Sequence, residues 1–225
     1  MRRIHGFQGE LIDRIEALKP QLVILGTGGH AKVVIEMLEQ VGEVRIAGCT
    51  GVLPAQTEIL GYPILGDDST LAALLKSGID HAFIAIGDNA LRLKLLKLTR
   101  SLGFKLVNAV SPHAVVSPRA IIGEGVAIMS GAVINVDAKI GDCAIVNTGA
   151  TIDHDCVLGA GCHIGPGVNL AGCVTLREGA FLGVGCCVIP HVSIGAWTVV
   201  GAGGVVISDL PEKVLAVGVP ARVKM

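Results

Sequence analysis

Residues 144–170 read AIVNTGATIDHDCVLGAGCHIGPGVNL, and the six-residue repeat in this stretch decides the fold of about half of the chain. Stepping by six from Val116 to Val206 meets an aliphatic residue sixteen times in succession, and a small or modest residue stands two positions before each of them. The aliphatic residues are Val116, Ile122, Ile128, Ile134, Ile140, Val146, Ile152, Leu158, Ile164, Leu170, Leu176, Leu182, Val188, Ile194, Val200 and Val206.

A period of six fits neither the helical period of about 3.6 residues nor the two-residue alternation of a long strand. It predicts a solenoid of short strands joined by tight turns, in which each coil buries its apolar edge against the next. Three hexads per coil predict about five coils. The regularity ends at Ser208–Pro211, and the tail 214–224 is expected to cover the open edge of the last coil.

The composition argues against two classes of partner. A net charge of −1 disfavours a protein that binds nucleic acid through its phosphates. No apolar run reaches the roughly 18 residues of a membrane-spanning helix, and no signal peptide opens the chain. A cytoplasmic protein without a membrane partner is therefore expected.

Seven cysteines invite a metal or disulfide interpretation, but none forms a C-x-x-C pair. Cys156, Cys162 and Cys186 fall on the small inward position of the hexad, where a thiol acts as a small hydrophobic group. Reduced core cysteines without a metal are the prediction, with zinc or a disulfide as the alternative.

Residues 21–108 are predicted to form a small Rossmann-like α/β domain of three or four parallel strands, preceded by a leading helix or extension over 1–20. The first strand, QLVIL at 21–25, runs into the turn GTGGH at 26–30 and then a helix. Strand, glycine turn and helix is an arrangement that points backbone N–H groups at an anion. The ligand crevice should lie at the strand ends, near Gly28–His30, Cys49–Thr50 and Gly87–Asn89.

The second strand is predicted at Val44–Gly48, and Cys49-Thr50-Gly51 follows it. A dinucleotide site needs an acidic residue near this point for a ribose hydroxyl, and none is present. An NAD-type site is therefore not expected.

His154 is the residue of the repeat best suited to chemistry. It lies between Asp153 and Asp155, two positions after an inward Ile152, so it should stand at a corner of the solenoid and face outward. A histidine between two carboxylates has its imidazolium form favoured and its basicity raised. This suits a general base near neutral pH, although a solvated surface histidine is the alternative from the residues alone.

Four segments together resemble the bacterial nucleotide-sugar acyltransferases: GTGGH at 26–30, FIAIGDN at 83–89, NTGATIDHDC at 147–156 and VGVPARV at 217–223. The group includes N-acetyltransferases of UDP-linked 4-amino sugars, GDP-perosamine N-acetyltransferases and sialic acid O-acetyltransferases. The resemblance covers nearly the whole chain after Gln21. It implies a left-handed parallel β-helix over 109–225 with a C-terminal cap, a homotrimer, and acetyl-CoA bound between adjacent β-helices, with the nucleotide sugar held by the domain 21–108.

The resemblance also implies roles for individual residues. His154 matches the catalytic base, Asp155 its supporting acid, and Asn147 a polar residue near the amino sugar. Gly172, one coil after His154, matches the backbone donor to the thioester oxygen. The residues that match acetyl-CoA contacts are His163, Gly172, Val184 and Ala202. The residues that match nucleotide-sugar contacts are Gly28, Gly29, His30 and Gly87.

The expected reaction is acetyl transfer from acetyl-CoA to the 4-amino group of a nucleotide-linked sugar, GDP-perosamine or a UDP-4-amino-4,6-dideoxy sugar. Cys49-Thr50-Gly51 stands where the UDP-sugar members carry an acidic pair, which leaves room for GDP. The alternatives are O-acetylation of sialic acid or a related sugar, and a non-catalytic β-helix that binds or scaffolds. A zinc hydrolase on the same fold is disfavoured, because His154 and His163 do not supply three converging histidines.

Overall fold

The computed structural model describes residues 18–51 and 57–224. The predicted leading helix lies outside the described residues except for its last three positions. Within the described ranges, an α/β domain extends to about Asn108 and a parallel β-solenoid follows it. No helix in these two ranges is long and apolar enough to cross a membrane.

The α/β domain is built on a four-stranded parallel sheet. Its strands are β1 (Gln21–Leu25), β2 (Arg45–Thr50), β5 (His81–Ile84) and β6 (Lys105–Leu106), and the short antiparallel hairpin β3 (Glu58–Ile59) and β4 (Tyr62–Pro63) follows β2. The order across the sheet is β2-β1-β5-β6. The helices are α1 (Gly29–Val41), α2 (Leu71–Lys76), preceded by a 3-10 turn at Asp68–Thr70, and α3 (Asn89–Leu102). The prediction of a small parallel α/β unit is confirmed.

The second strand is longer than predicted. β2 continues to Thr50, and both Cys49 and Thr50 are fully buried. Cys49 pairs across to Ile64, because the hairpin that follows the strand folds back along it. The crevice predicted near Cys49–Thr50 is lined by Thr50, whereas the Cys49 side chain packs in the core.

The solenoid consists of seventeen two-residue strands, β7 to β23, within the described residues. They stack in three parallel sheets, and each residue pairs with the one 18 positions later, as Ile145 does with His163. The strands are 109–110, 115–116, 121–122, 127–128, 133–134, 139–140, 145–146, 151–152, 157–158, 163–164, 169–170, 175–176, 181–182, 187–188, 193–194, 199–200 and 205–206. The prediction of about five coils is one short, because Ala109–Val110 begins the repeat before Val116 and gives about six turns.

The interior follows the hexad pattern. The aliphatic residue and the small residue two positions before it form one continuous buried core. Cys156, Cys162 and Cys186 are fully buried, and their thiols donate to the carbonyl oxygens of the next coil, such as Ala171 O at 3.2 Å from Cys156 Sγ. The predicted inward position of these three cysteines is confirmed.

The tail closes one end of the solenoid. β24 (Leu215–Val217) adds in parallel to β22 (Val199–Val200), and β25 (Arg222–Val223) turns back antiparallel along β24. The open edge of this sheet is thus covered by the chain itself, as predicted.

Arg92 of α3 joins the two domains. Its guanidinium is 1% exposed and donates to carbonyl oxygens on both sides of the junction. On the α/β side the acceptors are Ile86 O at 2.9 Å and Gly87 O at 3.1 Å, and on the solenoid side they are Cys143 O at 2.7 Å and Gly161 O at 2.9 Å. Burial lowers the pKa of Arg92 to about 10, so the group stays cationic at neutral pH. The contacts place the Gly87 loop at a fixed position against the solenoid.

Candidate active site

His154 and Asp155 occupy the corner between β14 (Thr151–Ile152) and β15 (Val157–Leu158). His154 Nδ1 lies 2.8 Å from Asp155 Oδ2, and the histidine side chain is 51% exposed. With Nδ1–H donating to the carboxylate, the neutral ring presents its lone pair at Nε2, towards solvent. The predicted outward histidine with an adjacent carboxylate is confirmed as geometry.

The carboxylates around His154 set its electrostatics. The hydrogen bond to Asp155 raises the pKa of His154, and the charges of Asp153 and Asp155 add to this effect. Asp153 itself accepts from the His154 backbone N–H at 2.8 Å and from Asn135 Nδ2 at 2.9 Å, which lowers its own pKa. Asp153 therefore holds the turn, while Asp155 holds the ring.

Gly172 lies one coil above His154, directly against its ring. A Cβ on Gly172 would stand 2.6 Å from both Cε1 and Nε2 of His154, which is closer than side chains pack. The backbone at Gly172 is not left-handed, and the same corner position holds Val136 and Pro190 in other coils. The glycine is thus required by the histidine ring rather than by the turn.

The Gly172 N–H has no acceptor within the described parts of the chain. Other amides at this turn position, such as those of Ala160 and Glu178, are also free, so a free amide is a general property of the corners. What distinguishes Gly172 is that its Cα lies against the ring of His154. The pair can therefore present a base and a hydrogen-bond donor to one reacting centre.

A second group of predicted residues meets at the junction of the two domains. His163 Nε2 lies 3.3 Å from Asn147 Nδ2, the Gly87 backbone lies against the His163 ring, and His30 lies close enough to influence its charge. The ring of Phe181 meets that of His163 edge-on, with centroids 5.1 Å apart. The structure thus groups His163, predicted to contact acetyl-CoA, with residues predicted to contact the sugar.

Both histidines of this group are held neutral. Burial, and then the charge of Arg92, lowers the pKa of His30 to about 4. Burial, the charge of Arg92 and the nearby His30 together lower the pKa of His163 to about 4. A hydrogen bond with the Gly87 backbone acts in the opposite direction and is outweighed. Neither His30 Nε2 nor His163 Nδ1 has a hydrogen-bond partner among the residues described. Two buried polar atoms therefore lack a partner at the junction of the domains.

The strand ends of the α/β domain border an open crevice, as predicted. A Cβ on Gly28, Gly29 or Gly87 would meet no atom within 4 Å. Next to Gly28 is a cavity of about 310 Å³, with Thr50 and Gly51 on one side and Ile86 on the other. The hydroxyl of Thr50 is buried there and lacks a partner within residues 18–51 and 57–224.

Asp67 and Asp68 line the same cavity, and the sequence reasoning missed them. An acidic residue was expected directly after β2. The chain instead first makes the β3–β4 hairpin and returns to the crevice at Asp67. Hydrogen bonds from Ser69 lower the pKa of Asp67, while burial and the charge of Asp67 raise the pKa of Asp68. The pair D-D before a helix start was the available signal.

The two groups lie at opposite ends of β14. Asn147 precedes this strand and His154 follows it, so the width of one solenoid face, up to about 20 Å for six residues, separates them. Val184 and Ala202, the predicted acetyl-CoA contacts, stand one coil apart on the Asn147 side. A single chain therefore does not bring all the predicted site residues together.

Two protein families match the chain. The PglD N-terminal domain matches residues 21–98, and the bacterial transferase hexapeptide (six repeats) matches residues 137–172. UDP-N-acetylbacillosamine N-acetyltransferase of Bacillus subtilis (strain 168) is 37% identical over 110 residues, which is 48% of this chain and 51% of that protein. The chain thus spans about half the length of this curated relative.

Two solved structures are similar over nearly all of the chain. PerB from Caulobacter crescentus, in complex with CoA and GDP-perosamine, is 57% identical with a TM-score of 0.88, and the match covers 91% of this chain and 97% of that one. The acetyltransferase domain of PglB from Neisseria gonorrhoeae FA1090 is 34% identical with a TM-score of 0.88 over 92% and 100%. This chain belongs to the bacterial nucleotide-sugar N-acetyltransferases that join an α/β domain to a left-handed hexapeptide-repeat β-helix.

Proposed function

We propose that this protein transfers the acetyl group of acetyl-CoA to the 4-amino group of GDP-perosamine or a closely related GDP-linked sugar. The observation that carries the proposal is the exposed His154–Asp155 pair, on a chain 57% identical to PerB, whose structure contains CoA and GDP-perosamine. The relatives named above are N-acetyltransferases of amino sugars or an acetyltransferase domain, which favours N-acetylation over O-acetylation.

His154 acts as the general base in the proposed mechanism. As the sugar amine attacks the thioester carbon, Nε2 of His154 takes a proton from the amine nitrogen. Asp155 keeps the ring oriented and stabilises the imidazolium that forms. The histidine later returns the proton to the departing CoA sulfur, so the enzyme ends in its starting state.

Gly172 supplies the electrophilic assistance. Its backbone N–H donates to the thioester oxygen, which becomes negatively charged in the tetrahedral intermediate. The free amide of Gly172, whose Cα lies against the His154 ring, supports this assignment. No acetyl-enzyme is required: Cys156 is fully buried, and burial raises the pKa of its thiol to about 11.

The complete site is proposed to form between chains of a homotrimer. His154 and Gly172 of one chain would face Asn147, His163, Val184 and Ala202 of the next, with acetyl-CoA in the cleft between the two β-helices. The separation of these residues across one face of a single chain supports this arrangement. The residue set around Gly28, Gly29, His30 and Gly87 would hold the nucleotide sugar from the same side as His163.

Asp67 and Asp68 are proposed to recognise the nucleotide. Carboxylates accept hydrogen bonds from ribose hydroxyls and from the N–H groups of guanine or uracil. UDP-linked sugar is the second candidate substrate, because the Bacillus subtilis relative is named for UDP-N-acetylbacillosamine. Cytoplasmic action is proposed because the reaction consumes acetyl-CoA and all seven cysteines are free, as suits a reducing compartment.

The test is an acetyl-transfer assay with matched acceptors. Release of free CoA is followed with GDP-perosamine, with a UDP-linked 4-amino-4,6-dideoxy sugar and with sialic acid. We expect the highest kcat/KM with the GDP sugar. A preference for the UDP sugar would overturn the nucleotide assignment, and transfer only to sialic acid would overturn N-acetylation.

A further inference from the structure

The corner that carries His154 brings together three side chains that bind zinc in other proteins. His154, Asp155 and Cys173 each offer a ligand atom, and these atoms all lie within 4.8 Å of one another. Cys173 comes from the next coil, and its backbone N–H donates to His154 O at 2.9 Å, which fixes the two coils in register. Two of the three residues are exposed and Cys173 is partly exposed, so a dissolved ion can reach them.

A second histidine follows one coil further on. Asp137, Asp155, Cys173 and His191 recur at intervals of 18 residues and share a left-handed backbone, with φ of 58°, 59°, 62° and 63°. His191 is exposed, and its N–H donates to Gly172 O at 3.1 Å, directly above Cys173. The equivalent position on the Asn147 corner is glycine in five successive coils, at Gly131, Gly149, Gly167, Gly185 and Gly203. The turn geometry does not require the Asp, Cys and His side chains of the His154 corner, because the same left-handed turn accepts glycine on the Asn147 corner.

The donor set selects the ion. A thiol, an imidazole and a carboxylate suit Zn²⁺, whereas Mg²⁺ and Ca²⁺ bind oxygen ligands. Ligand atoms around a tetrahedral zinc lie roughly 3.3–3.8 Å apart, given bonds of about 2.0 Å to nitrogen and 2.3 Å to sulfur. Starting from separations within 4.8 Å, the three side chains need to close by about 1 Å, which exposed turn residues can do by rotation.

We propose that this corner is an inhibitory zinc site formed by His154, Asp155 and Cys173. His191, one coil beyond Cys173, is a further candidate ligand that would have to move towards the other three. On binding, Cys173 releases its thiol proton to solvent and coordinates as the thiolate, with no change in oxidation state. His154 gives a ring nitrogen to the metal and is lost as a base. The inhibition rests on the proposed function of His154, whereas the binding itself does not.

The experiment uses the full-length protein after removal of metals with EDTA. Zn²⁺ is titrated against a chromophoric chelator, and acetyl transfer to GDP-perosamine is measured over the same range. We expect one zinc per chain, loss of activity that follows occupancy, and recovery with EDTA. Co²⁺ in place of Zn²⁺ should give the near-ultraviolet charge-transfer band of a thiolate ligand.

Two cysteine variants make the test specific. Cys173→Ser should abolish the Co²⁺ band and weaken zinc binding at least about tenfold, while the rate without zinc stays near that of the wild type. Cys187→Ser is the matched control, because Cys187 is exposed but lies within β20, two coils beyond β14, and is not one of the three clustered ligands, so it should change neither quantity. His191→Asn should weaken zinc binding by a smaller factor than Cys173→Ser.

Two results would overturn the proposal. One is a Cys173→Ser protein that binds zinc as tightly as the wild type, and the other is zinc that binds at this corner without reducing acetyl transfer. A metal-free wild type that acetylates no amino sugar would overturn the proposed function, whereas the Co²⁺ band would still report the site independently.

Discussion

The two corners at either end of β14 share a backbone and differ in their side chains. On the Asn147 corner, glycine fills the left-handed position of five successive coils, from Gly131 to Gly203, and Val184 and Ala202 present little beyond their backbone. On the His154 corner, the same positions carry His154, Asp155, Gly172 and Cys173. The difference teaches that the repeat supplies similar turns, and that the proposed chemistry lies where one corner departs from the small residues found at the other.

The largest effect is expected from removing the base. His154→Ala should lower kcat/KM for the GDP sugar by about 10³-fold, within the range that general base catalysis contributes. His113→Ala is the matched control, because His113 is an exposed histidine at another turn of the β-helix and should leave the rate unchanged. Steady-state rates of CoA release measure both. A His154→Ala enzyme with near-normal kcat would contradict the assignment.

Gly172→Ala tests whether the position of the His154 ring requires a residue without a Cβ at position 172. The new Cβ, 2.6 Å from Nε2 of His154, should displace the ring and lower kcat by about 10²-fold, as expected for a misplacement near 1 Å. Unfolding by urea should change little, since Gly172 is not left-handed.

A double-mutant cycle supplies the control for Gly172. In the His154→Ala background the Cβ meets no ring, so Gly172→Ala should reduce the residual rate only slightly. Equal fold-losses in both backgrounds would show that the methyl group acts on the amide or the turn rather than on His154.

The buried histidines of the Asn147 side predict a dependence of stability on pH. The pKa of His30 and His163 is about 4 in the folded protein and 6.5 in the unfolded chain. The unfolded chain therefore binds more protons between these values. Their contribution to stability is complete above about pH 6.5 and falls as the pH decreases towards 4. For one such histidine the loss at pH 5 is about 2 kcal/mol relative to neutral pH.

Urea unfolding at pH 7 and pH 5, at one protein concentration, measures this loss. His163→Gln should reduce the difference between the two free energies of unfolding by about 2 kcal/mol. His113→Gln, at an exposed position, should leave the difference as in the wild type. A His163→Gln protein with an unchanged pH dependence would show that the ring is not held neutral by burial.

The smallest effect concerns the glycine column itself. Gly167 has a φ of 65°, and a Cβ at this position would meet no atom within 4 Å. Gly167→Ala should therefore lower stability by about 1 kcal/mol through backbone strain alone. Cys173→Gly is the reciprocal change on the other corner and should relieve a similar strain. Thermal unfolding compares the two. If Gly167→Ala leaves the thermal stability unchanged, strain at the left-handed position does not explain why one corner carries glycine and the other does not.

The periodic half of the molecule was predictable in detail, because each residue of a solenoid pairs with the residue 18 positions away. The inward cysteines and the outward His154 both followed from the hexad. The count of coils failed only at its start, where Ala109–Val110 joins the first sheet. The roles assigned to Asn147, Gly172, Val184 and Ala202 remain predictions.

The α/β domain and the junction were less predictable, because no period relates their residues. Cys49 is buried by a hairpin that the strand pattern did not reveal, and Asp67 and Asp68 reach the crevice only after that hairpin. The grouping of His30 with His163 depends on how α3 docks against the coils, which the buried Arg92 decides through backbone carbonyls. Backbone acceptors carry no side-chain signature in a sequence.

Complementation between two inactive chains tests the central claim most directly. One chain carries His154→Ala, and the other carries Asn147→Ala and His163→Ala, so each retains one corner. In a random 1:1 assembly of the two chains, about a quarter of all inter-chain sites should be intact, and acetylation of GDP-perosamine should return to roughly that share of the wild-type rate. Mixed trimers that form but remain as inactive as either parent would contradict a site shared between the two corners.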